Sequence, residues 1–346
     1  MKYRGFAVFA LIVVIIGIGV VRRELKKPSG PKPGSNHLAL EDQGPEPVEI
    51  VKYPQVVTDA VGRDVSLTAQ PHRIVSLAPS VTELLYDLGA GPQIAADTTA
   101  CDYPMAARSL PHIGGAFDMS LESIVGARPD LIVADGTINQ KIVTALRSVD
   151  IPVIVIMPRN IEDSFTAIRL LGKATGNPKA AADMINQFRN HFRHTRDIVA
   201  HATARTRVLV MYDTSPIYTS GPGTLIDDMI RISGGKNIAS SNDPIVSERV
   251  IQDQPDVIIC STELETKIAA MPAWRGTVPA VMNTAYFHPS DNATLIRPCN
   301  RLLQGANELA RFLHPELFTS DGKPAVILKG SVPTTAAPTT AAPGMR

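Results

Sequence analysis

Residues 122–134, ESIVGARPDLIVA, and residues 248–260, ERVIQDQPDVIIC, are two copies of one pattern. Each copy begins with a glutamate, continues through two aliphatic residues and reaches Pro-Asp followed by an apolar run. Self-similarity at one register indicates a duplicated unit of about 130 residues. Each copy predicts a short helix, a turn and a strand buried on both faces, as in a parallel sheet. We therefore expect two α/β lobes with a ligand cleft between them.

The composition is that of an ordinary globular protein. The chain has 346 residues, enough for two domains, with 44% hydrophobic and 19% charged residues. Its net charge of +1, with no basic face visible in the order of residues, argues against a nucleic-acid partner. No Gly-x-Ser-x-Gly elbow, phosphate-binding loop or dinucleotide fingerprint occurs, so we predict a protein that is not an enzyme and has no cofactor.

The two ends of the chain differ from its middle. Residues 1–27 contain an apolar run, Gly5 to Val21, which predicts an uncleaved membrane anchor or, alternatively, a cleaved signal. The positive charges after this run would by themselves place the rest of the chain in the cytoplasm. Residues 28–54 are Pro-rich and predict a linker without a core. Residues 331–346 are a Pro/Thr/Ala tail, predicted to be disordered.

The middle of the chain alternates strand and helix patterns, which predicts parallel sheets. Residues 55–177 are assigned to an N-terminal lobe that starts with a β-hairpin around Gly62, and residues 205–320 to a C-terminal lobe. Residues 178–204 contain no glycine and only the initial proline, and their apolar residues recur at helical spacing. They predict a long rigid helix that joins the lobes. Further helices are predicted at 81–88, 225–232 and 301–313.

Two interpretations of the repeated glutamates remain open. Glu122 and Glu248 stand in the first turn of their predicted helices, after Ser120 and Ser247 as possible caps. An acid there is favoured by the helix dipole alone. Alternatively, one exposed acid on each lobe makes a two-point contact with a basic partner.

Cysteine and histidine chemistry is sparse. Cys260 and Cys299 are a possible disulfide outside the cytoplasm, with Cys101 left as a small buried thiol. His191 and His194 share a helix face. Two histidines are too few ligands for zinc, so no metal site is assigned. A site across the cleft would require His112, His288 or Cys101 to converge on one metal.

Several motifs together resemble the periplasmic-binding-protein family that serves ABC importers of cobalamin and iron-siderophores. They cover roughly residues 56–318 in order. The motifs are Thr58–Arg63, Arg73–Gly91, Glu122 with Pro129-Asp-Leu-Ile, Tyr218-Thr-Ser-Gly, Gly234–Ile238 and Arg297–Leu302. Cys101-Asp-Tyr-Pro104 is most similar to the cobalamin-binding branch. The Trp-rich cleft of that branch is not evident, since the only tryptophan is Trp274, and the family's Arg-Pro-Gly-Pro-Arg is here Arg297-Pro-Cys-Asn-Arg301.

The resemblance implies two Rossmann-like lobes joined by one long rigid helix. It implies an extracytoplasmic protein that delivers cobalamin or a related corrinoid to a permease with its ATPase subunits. Together with the predicted N-terminal anchor, we expect a monomer tethered to the membrane. It also implies that Glu122 and Glu248 dock onto arginines of the permease. The expected ligand-binding residues are Pro79, Ser80, Asp102, Tyr103, Phe117, Tyr212, Tyr218 and Arg297.

Three alternatives remain open. In the first, the cargo is an iron-siderophore or haem. In the second, the fold carries a metal-dependent enzyme or chelatase. In the third, the protein is a tethered sensor that signals to a membrane partner without a permease.

Overall fold

The computed structural model describes residues 44–115, 118–291, 293–319 and 321–324. The globular part opens with a hairpin of β1 (Gln55–Thr58) and β2 (Asp64–Leu67), which pair antiparallel. Gly62 has φ +77° in the connection, a conformation that glycine adopts without a Cβ clash. The hairpin predicted around Gly62 is therefore confirmed.

The first lobe is built on a four-stranded parallel sheet in the order β4-β3-β5-β6. Its strands are β3 (Ile74–Ser76), β4 (Ile94–Ala96), β5 (Leu131–Asp135) and β6 (Val153–Ile156). All five residues of β5 are buried, as expected for a strand covered by structure on both faces.

The second lobe repeats this arrangement. Its strands are β7 (Arg207–Val210), β8 (Lys236–Asn237), β9 (Val257–Ile259) and β10 (Tyr286–Phe287). They are also parallel, in the order β8-β7-β9-β10. The second strand flanks the first, and the third and fourth follow on the other side, as in the first lobe. Two similar α/β lobes, as predicted, are thus present.

Eleven helices of the described residues surround the two sheets. They are α1 (Pro79–Asp87), α2 (Leu121–Gly126), α3 (Gln140–Ala145), α4 (Ile161–Thr175), α5 (Pro178–Val199), α6 (Leu225–Ile232), α7 (Ser247–Asp253), α8 (Thr262–Ala269), α9 (Pro279–Met282), α10 (Ala293–Ile296) and α11 (Arg301–Leu313). Short 3₁₀ turns lie at Gly91–Gln93, Met105–Ser109, Leu146–Ser148 and Pro315–Leu317.

The Pro-Asp turn of the first repeat copy joins a helix end to two strands. The Asp130 carboxylate accepts from the backbone N–H groups of His72 and Arg73, at 2.8 and 2.9 Å, where the chain enters β3. The Arg73 guanidinium donates in return to the carbonyls of Ala127 and Arg128, at 2.7 and 3.0 Å. These carbonyls at the end of α2 would otherwise lack intrahelical partners.

The second copy makes most of the equivalent contacts. Asp256 accepts from the N–H of Arg207 at 2.8 Å, and the Arg207 guanidinium donates to the carbonyls of Asp253 and Gln254 at the end of α7. Gln254 has φ +45° and Arg128, at the equivalent place, has φ +50°. Such angles are uncommon for side-chain-bearing residues, so their recurrence supports a shared origin of the two copies.

Helix α5 connects the lobes, as predicted, but it is shorter than the predicted 178–204. It has 22 residues and ends at Val199. The chain tightens there, because His201 and Ala202 donate to carbonyls only three residues back and the His201 ring donates to the Asp197 carbonyl. α5 packs against α4 of the first lobe and against α6 and α11 of the second, so one rigid element touches both.

The segment predicted as a linker, 28–54, is described from residue 44, and this end of it packs on the protein. The Glu46 carboxylate binds Arg169 of α4 and Arg189 of α5, at 3.0 Å each. Tyr53 donates its hydroxyl hydrogen to the Ala174 carbonyl at 2.9 Å. The prediction of a spacer up to residue 54 is corrected here, because a buried ion pair compensates for the low apolar content.

The membrane anchor predicted at Gly5 to Val21 and the tail at 331–346 lie outside the described residues. Among the residues described, no helix combines the length and the apolar character that a bilayer crossing requires.

Candidate functional site

The loops that follow the strands of the two lobes meet. Asp102 lies in the loop after β4, and Arg297 follows β10 and α10; Asp102 Oδ1 and Arg297 Nη1 are 4.0 Å apart. The Tyr103 ring and the Arg301 guanidinium make a second contact, at 4.3 Å from ring centroid to Cζ. In open α/β sheets the carboxyl ends of the strands are where ligands bind. The cleft between these loops is therefore the candidate site.

Pro79 and Ser80 lie at the start of α1, directly after β3, and both are buried. The Ser80 hydroxyl donates to Asp135 at the end of β5, at 2.8 Å. Asp135 also accepts from the Thr137 hydroxyl at 2.6 Å, and burial raises the pKa of its carboxyl. Ser80 thus ties two strand ends together within the lobe.

Asp102 and Tyr103 are the exposed members of the predicted first-lobe set. Tyr103 is 44% exposed, which is high for a residue with a large ring. The Arg108 guanidinium donates to the Asp102 carbonyl at 2.9 Å, which leaves the Asp102 carboxylate directed at the other lobe. Phe117, predicted as a further ring of this wall, lies outside the described residues.

Tyr212 and Tyr218 lie together in the loop after β7. The Tyr212 N–H donates to the Tyr218 carbonyl at 3.0 Å, and the Tyr212 hydroxyl shares a hydrogen bond of 2.9 Å with Ser220. Burial raises the pKa of Tyr212 to about 12, so its phenol is neutral at physiological pH. As residues, Tyr212 and Tyr218 are both half-buried.

A buried carboxylate joins the lobes beneath these loops. Glu83 of α1 is 1% exposed, and it accepts from Arg297, from Arg301 at 2.8 and 3.0 Å, and from the Cys299 thiol at 3.1 Å. Asp87, one turn later, accepts from the backbone N–H of Asn300 at 2.7 Å. A buried acid of this kind requires such partners. Arg297 therefore serves the lobe interface as well as the cleft.

Arg301 is the most constrained cation of this interface. Burial disfavours its charged form, but its hydrogen bonds and ion pairs with Glu83 and Asp291 outweigh that effect and raise the pKa of the guanidinium. Neither Glu83 nor Arg301 was predicted as a site residue. The available signal was Glu83 itself, an acid directly before two leucines inside the predicted helix 81–88.

The predicted Cys260–Cys299 disulfide is wrong, since both cysteines are free and buried. Cys299 donates to Glu83 at the lobe interface, whereas Cys260 directly follows β9 inside a core cluster of the second lobe. Burial raises the pKa of Cys260 to about 12 and that of Cys101 to about 11. Burial likewise raises the pKa of Cys299, so all three thiols are held protonated. The packing places Cys260 and Cys299 in different surroundings.

The histidines considered for a metal have separate partners. His112 Nδ1 is 2.7 Å from Asp97 in the first lobe, and His288 Nε2 is 2.7 Å from Glu265 in the second. Within the described ranges, no group of three or more His, Cys, Asp or Glu side chains is placed to hold a metal ion.

Glu122 and Glu248 are both exposed, each as the second residue of its helix. Ser120 caps α2 as predicted, by accepting from the Ser123 N–H at 3.0 Å. Ser247 does not cap α7; its hydroxyl instead accepts from the indole N–H of Trp274 at 2.7 Å. For both glutamates, the part of the chain that the structure describes supplies no ion pair.

Comparison with known proteins identifies the family. Residues 74–291 match the model of the periplasmic binding protein family, and the chain belongs to that family. It is 32% identical, over 194 residues, to a vitamin B12-binding protein of Yersinia pseudotuberculosis, covering 55% of this chain and 69% of that protein. It is 25% identical, over 277 residues, to an ABC transporter substrate-binding lipoprotein of Bacillus subtilis, covering 77% and 87%.

Solved structures agree with this assignment. The crystal structure of the periplasmic vitamin B12-binding protein of Vibrio cholerae superposes with a TM-score of 0.63 at 26% identity, over 71% of this chain and 98% of that one. A periplasmic haem-binding protein from Roseiflexus sp. superposes equally well, with a TM-score of 0.63 at 23% identity, over 70% and 98%. The second likeness concerns the fold alone. The two-lobed architecture joined by a helix is thus that of this family.

Proposed function

We propose that this protein is the extracytoplasmic binding component of an ABC importer and that its cargo is cobalamin or a related corrinoid. The observation that carries this proposal is the meeting of strand-end loops from both lobes around the exposed Tyr103 ring. A flat, half-apolar ring suits a macrocycle, because aromatic faces pack on extended planar groups. The vitamin B12-binding relatives at 32% and 26% identity support the same cargo.

Charge at the cleft also supports a cargo without strong net charge. Arg297 and Arg301 both bind Glu83, and Arg301 also binds Asp291 at 2.6 Å. Arginines already paired with carboxylates attract an anionic siderophore less than free ones would. We therefore prefer a corrinoid over a siderophore, and we keep haem and siderophores as competitors in binding tests.

The binding site proposed for the corrinoid consists of both loop sets. Tyr103 and Phe117 would supply ring faces from the first lobe, with Pro79 and Ser80 shaping the floor. Tyr212 and Tyr218 would supply the facing wall. Asp102 and Arg297 would meet the polar amides of the ligand. No bond of the ligand is changed, and the protein acts as a carrier and not as an enzyme.

Glu122 and Glu248 are proposed to dock onto basic residues of the permease. Each is exposed, and each stands at the same place in its repeat copy. Two acids fixed on two rigidly joined lobes form a two-point contact, and this favours docking over the helix-dipole interpretation. The remaining parts of the proposal are a monomer, a permease with its ATPase subunits, and a tether formed by the apolar run Gly5 to Val21.

A transport assay tests the docking. In cells that depend on this protein for uptake of labelled cyanocobalamin, we expect the double variant Glu122→Ala, Glu248→Ala to abolish uptake while ligand affinity stays at the wild-type value. The matched control is Glu162→Ala, Glu263→Ala, which removes the exposed second residue of α4 and α8, again one per lobe. Normal uptake by the first variant would contradict docking through these acids.

A further inference from the structure

The contact between Arg301 and Tyr103 crosses from one lobe to the other. Tyr103 belongs to the loop after β4 of the first lobe, and Arg301 is the first residue of α11 in the second. The guanidinium carbon lies 4.3 Å from the ring centroid, within the range of a cation–π contact. The ring nevertheless remains 44% exposed, so the guanidinium covers only part of it.

The Arg301 guanidinium is fixed by hydrogen bonds to two carboxylates. Its Nε and Nη2 donate to the two oxygens of Glu83, at 3.0 and 2.8 Å, and its Nη1 donates to Asp291 at 2.6 Å. A guanidinium is planar, so three such bonds fix the plane of the group as well as its position. The Glu83 carboxylate is buried at the lobe interface, so it provides a rigid support.

We propose that Arg301 is a positioning residue of the ligand site, which fixes the Tyr103 ring so that its free face is ready for the ligand. This inference rests on the proposed binding function. A ring held in place before binding loses less conformational freedom when the ligand arrives, and so binds it more tightly. Arg301 reaches the ligand only through Tyr103, and its effect on affinity must therefore depend on that ring.

The substitution Arg301→Lys separates this role from charge. Lysine keeps one positive charge beside Glu83, but a single ammonium cannot bind Glu83 and Asp291 in one plane and also cover the ring. When the ring is no longer ordered before binding, the cost of ordering one side chain corresponds to an affinity about 2- to 12-fold lower. We expect Arg301→Lys to weaken binding within that range.

A double-mutant cycle on the full chain, titrated with cyanocobalamin, tests the proposal. With Tyr103 present, Arg301→Lys lowers the affinity; in the Tyr103→Leu background we expect it to have no further effect. Tyr103→Phe retains the ring and must retain the sensitivity to Arg301→Lys. Losses that simply multiply in the Tyr103→Leu background, with binding by the wild type intact, would overturn the positioning role and leave the proposed function standing.

A second variant guards against misfolding. Asp291→Asn loosens one side of Arg301 without touching buried Glu83, and it too should lower the affinity only when residue 103 carries a ring. The control is Arg297→Lys, which also removes contacts to Glu83 but does not stack on Tyr103, so its effect should persist in the Tyr103→Leu background. An Asp291→Asn effect of equal size in both backgrounds would overturn the proposal. Wild-type protein that binds no cyanocobalamin would overturn the cargo and the positioning role together.

Discussion

Glu83 shows how one side chain determines the relation of the two lobes. Its carboxylate lies on the first lobe, whereas its partners Arg297, Cys299 and Arg301 lie on the second. Removing one member of a buried ion pair leaves the others without compensation, which costs about 3–5 kcal/mol. The network therefore links the orientation of the lobes to the stability of the whole protein.

Asp228 links the lobes at a second point and gives a pH-dependent prediction. Its Oδ2 accepts from the N–H of Ile161, the first residue of α4, at 3.0 Å. Burial raises the pKa of Asp228 from its ordinary value of 3.8 to about 6, although the Ile161 N–H opposes the shift. The stability that the raised pKa contributes is fully present below pH 3.8 and is lost as the pH rises through 6.

We therefore expect Asp228→Asn, which retains an oxygen for Ile161, to gain stability relative to the wild type as the pH rises from about 4 to 7. The raised pKa corresponds to a gain on the order of 3 kcal/mol over that range. Chemical denaturation at several pH values measures it. Asp183→Asn, an exposed carboxylate on α5, serves as the control. A constant difference between Asp228→Asn and wild type would contradict the prediction.

Individual side chains were the least predictable from sequence. The sequence placed Glu122 and Glu248 in first turns, which is confirmed, because the turn and the helix are local. Ser247 was a possible cap of α7, but its hydroxyl accepts from the indole N–H of Trp274, 27 residues later. The role of Glu83 at the lobe interface was not predicted, and the predicted Cys260–Cys299 disulfide was wrong, for the same reason. In each case the partner is brought close by tertiary packing and not by spacing along the chain.

Among the elements, helices with start and stop signals in the sequence at both ends were predicted well. Helices 225–232 and 301–313 have the predicted bounds. The helix predicted at 81–88 begins two residues earlier, because Pro79 is accepted in a first turn. Helix α5 was predicted too long, because no glycine or proline marks its end at Val199.

The linker segment was the element whose role changed most, and Glu46 accounts for this. Its carboxylate lies between α4 and α5, and the hydrogen bond from Arg169 holds its pKa below the ordinary value. We expect Glu46→Ala to lower the free energy of unfolding at pH 7 by about 2–3 kcal/mol, since a charged hydrogen-bonded group is lost from a buried site. The difference should shrink as the pH falls through the lowered pKa.

The matched control is Glu49→Ala, which removes an exposed pair with Lys173 at 3.3 Å. An exposed pair of this kind contributes about 0–1 kcal/mol. Equal stability losses in the two variants, measured by urea denaturation, would show that Glu46 does not anchor the segment. A larger loss of stability in Glu46→Ala than in Glu49→Ala would show that the folded part of the protein includes residue 46.

At the level of the whole molecule, the duplication was the most informative signal. Two copies of one pattern predicted two lobes, and the sheets share one strand order and one set of Arg–Asp contacts. The fold could be predicted because strand patterns and their repetition are written in the sequence. The cleft could not be predicted in detail, because the approach of Tyr103 to Arg301 depends on how α1, α5 and α11 pack.

The proposed cargo is tested by calorimetric titration of the purified protein with cyanocobalamin, with haem and a ferric siderophore as competitors. The proposed function predicts one saturable site per chain, an affinity that falls when Tyr103→Leu is introduced, and no displacement by the competitors. Absence of heat with cyanocobalamin, together with tight binding of haem or a siderophore, would contradict it.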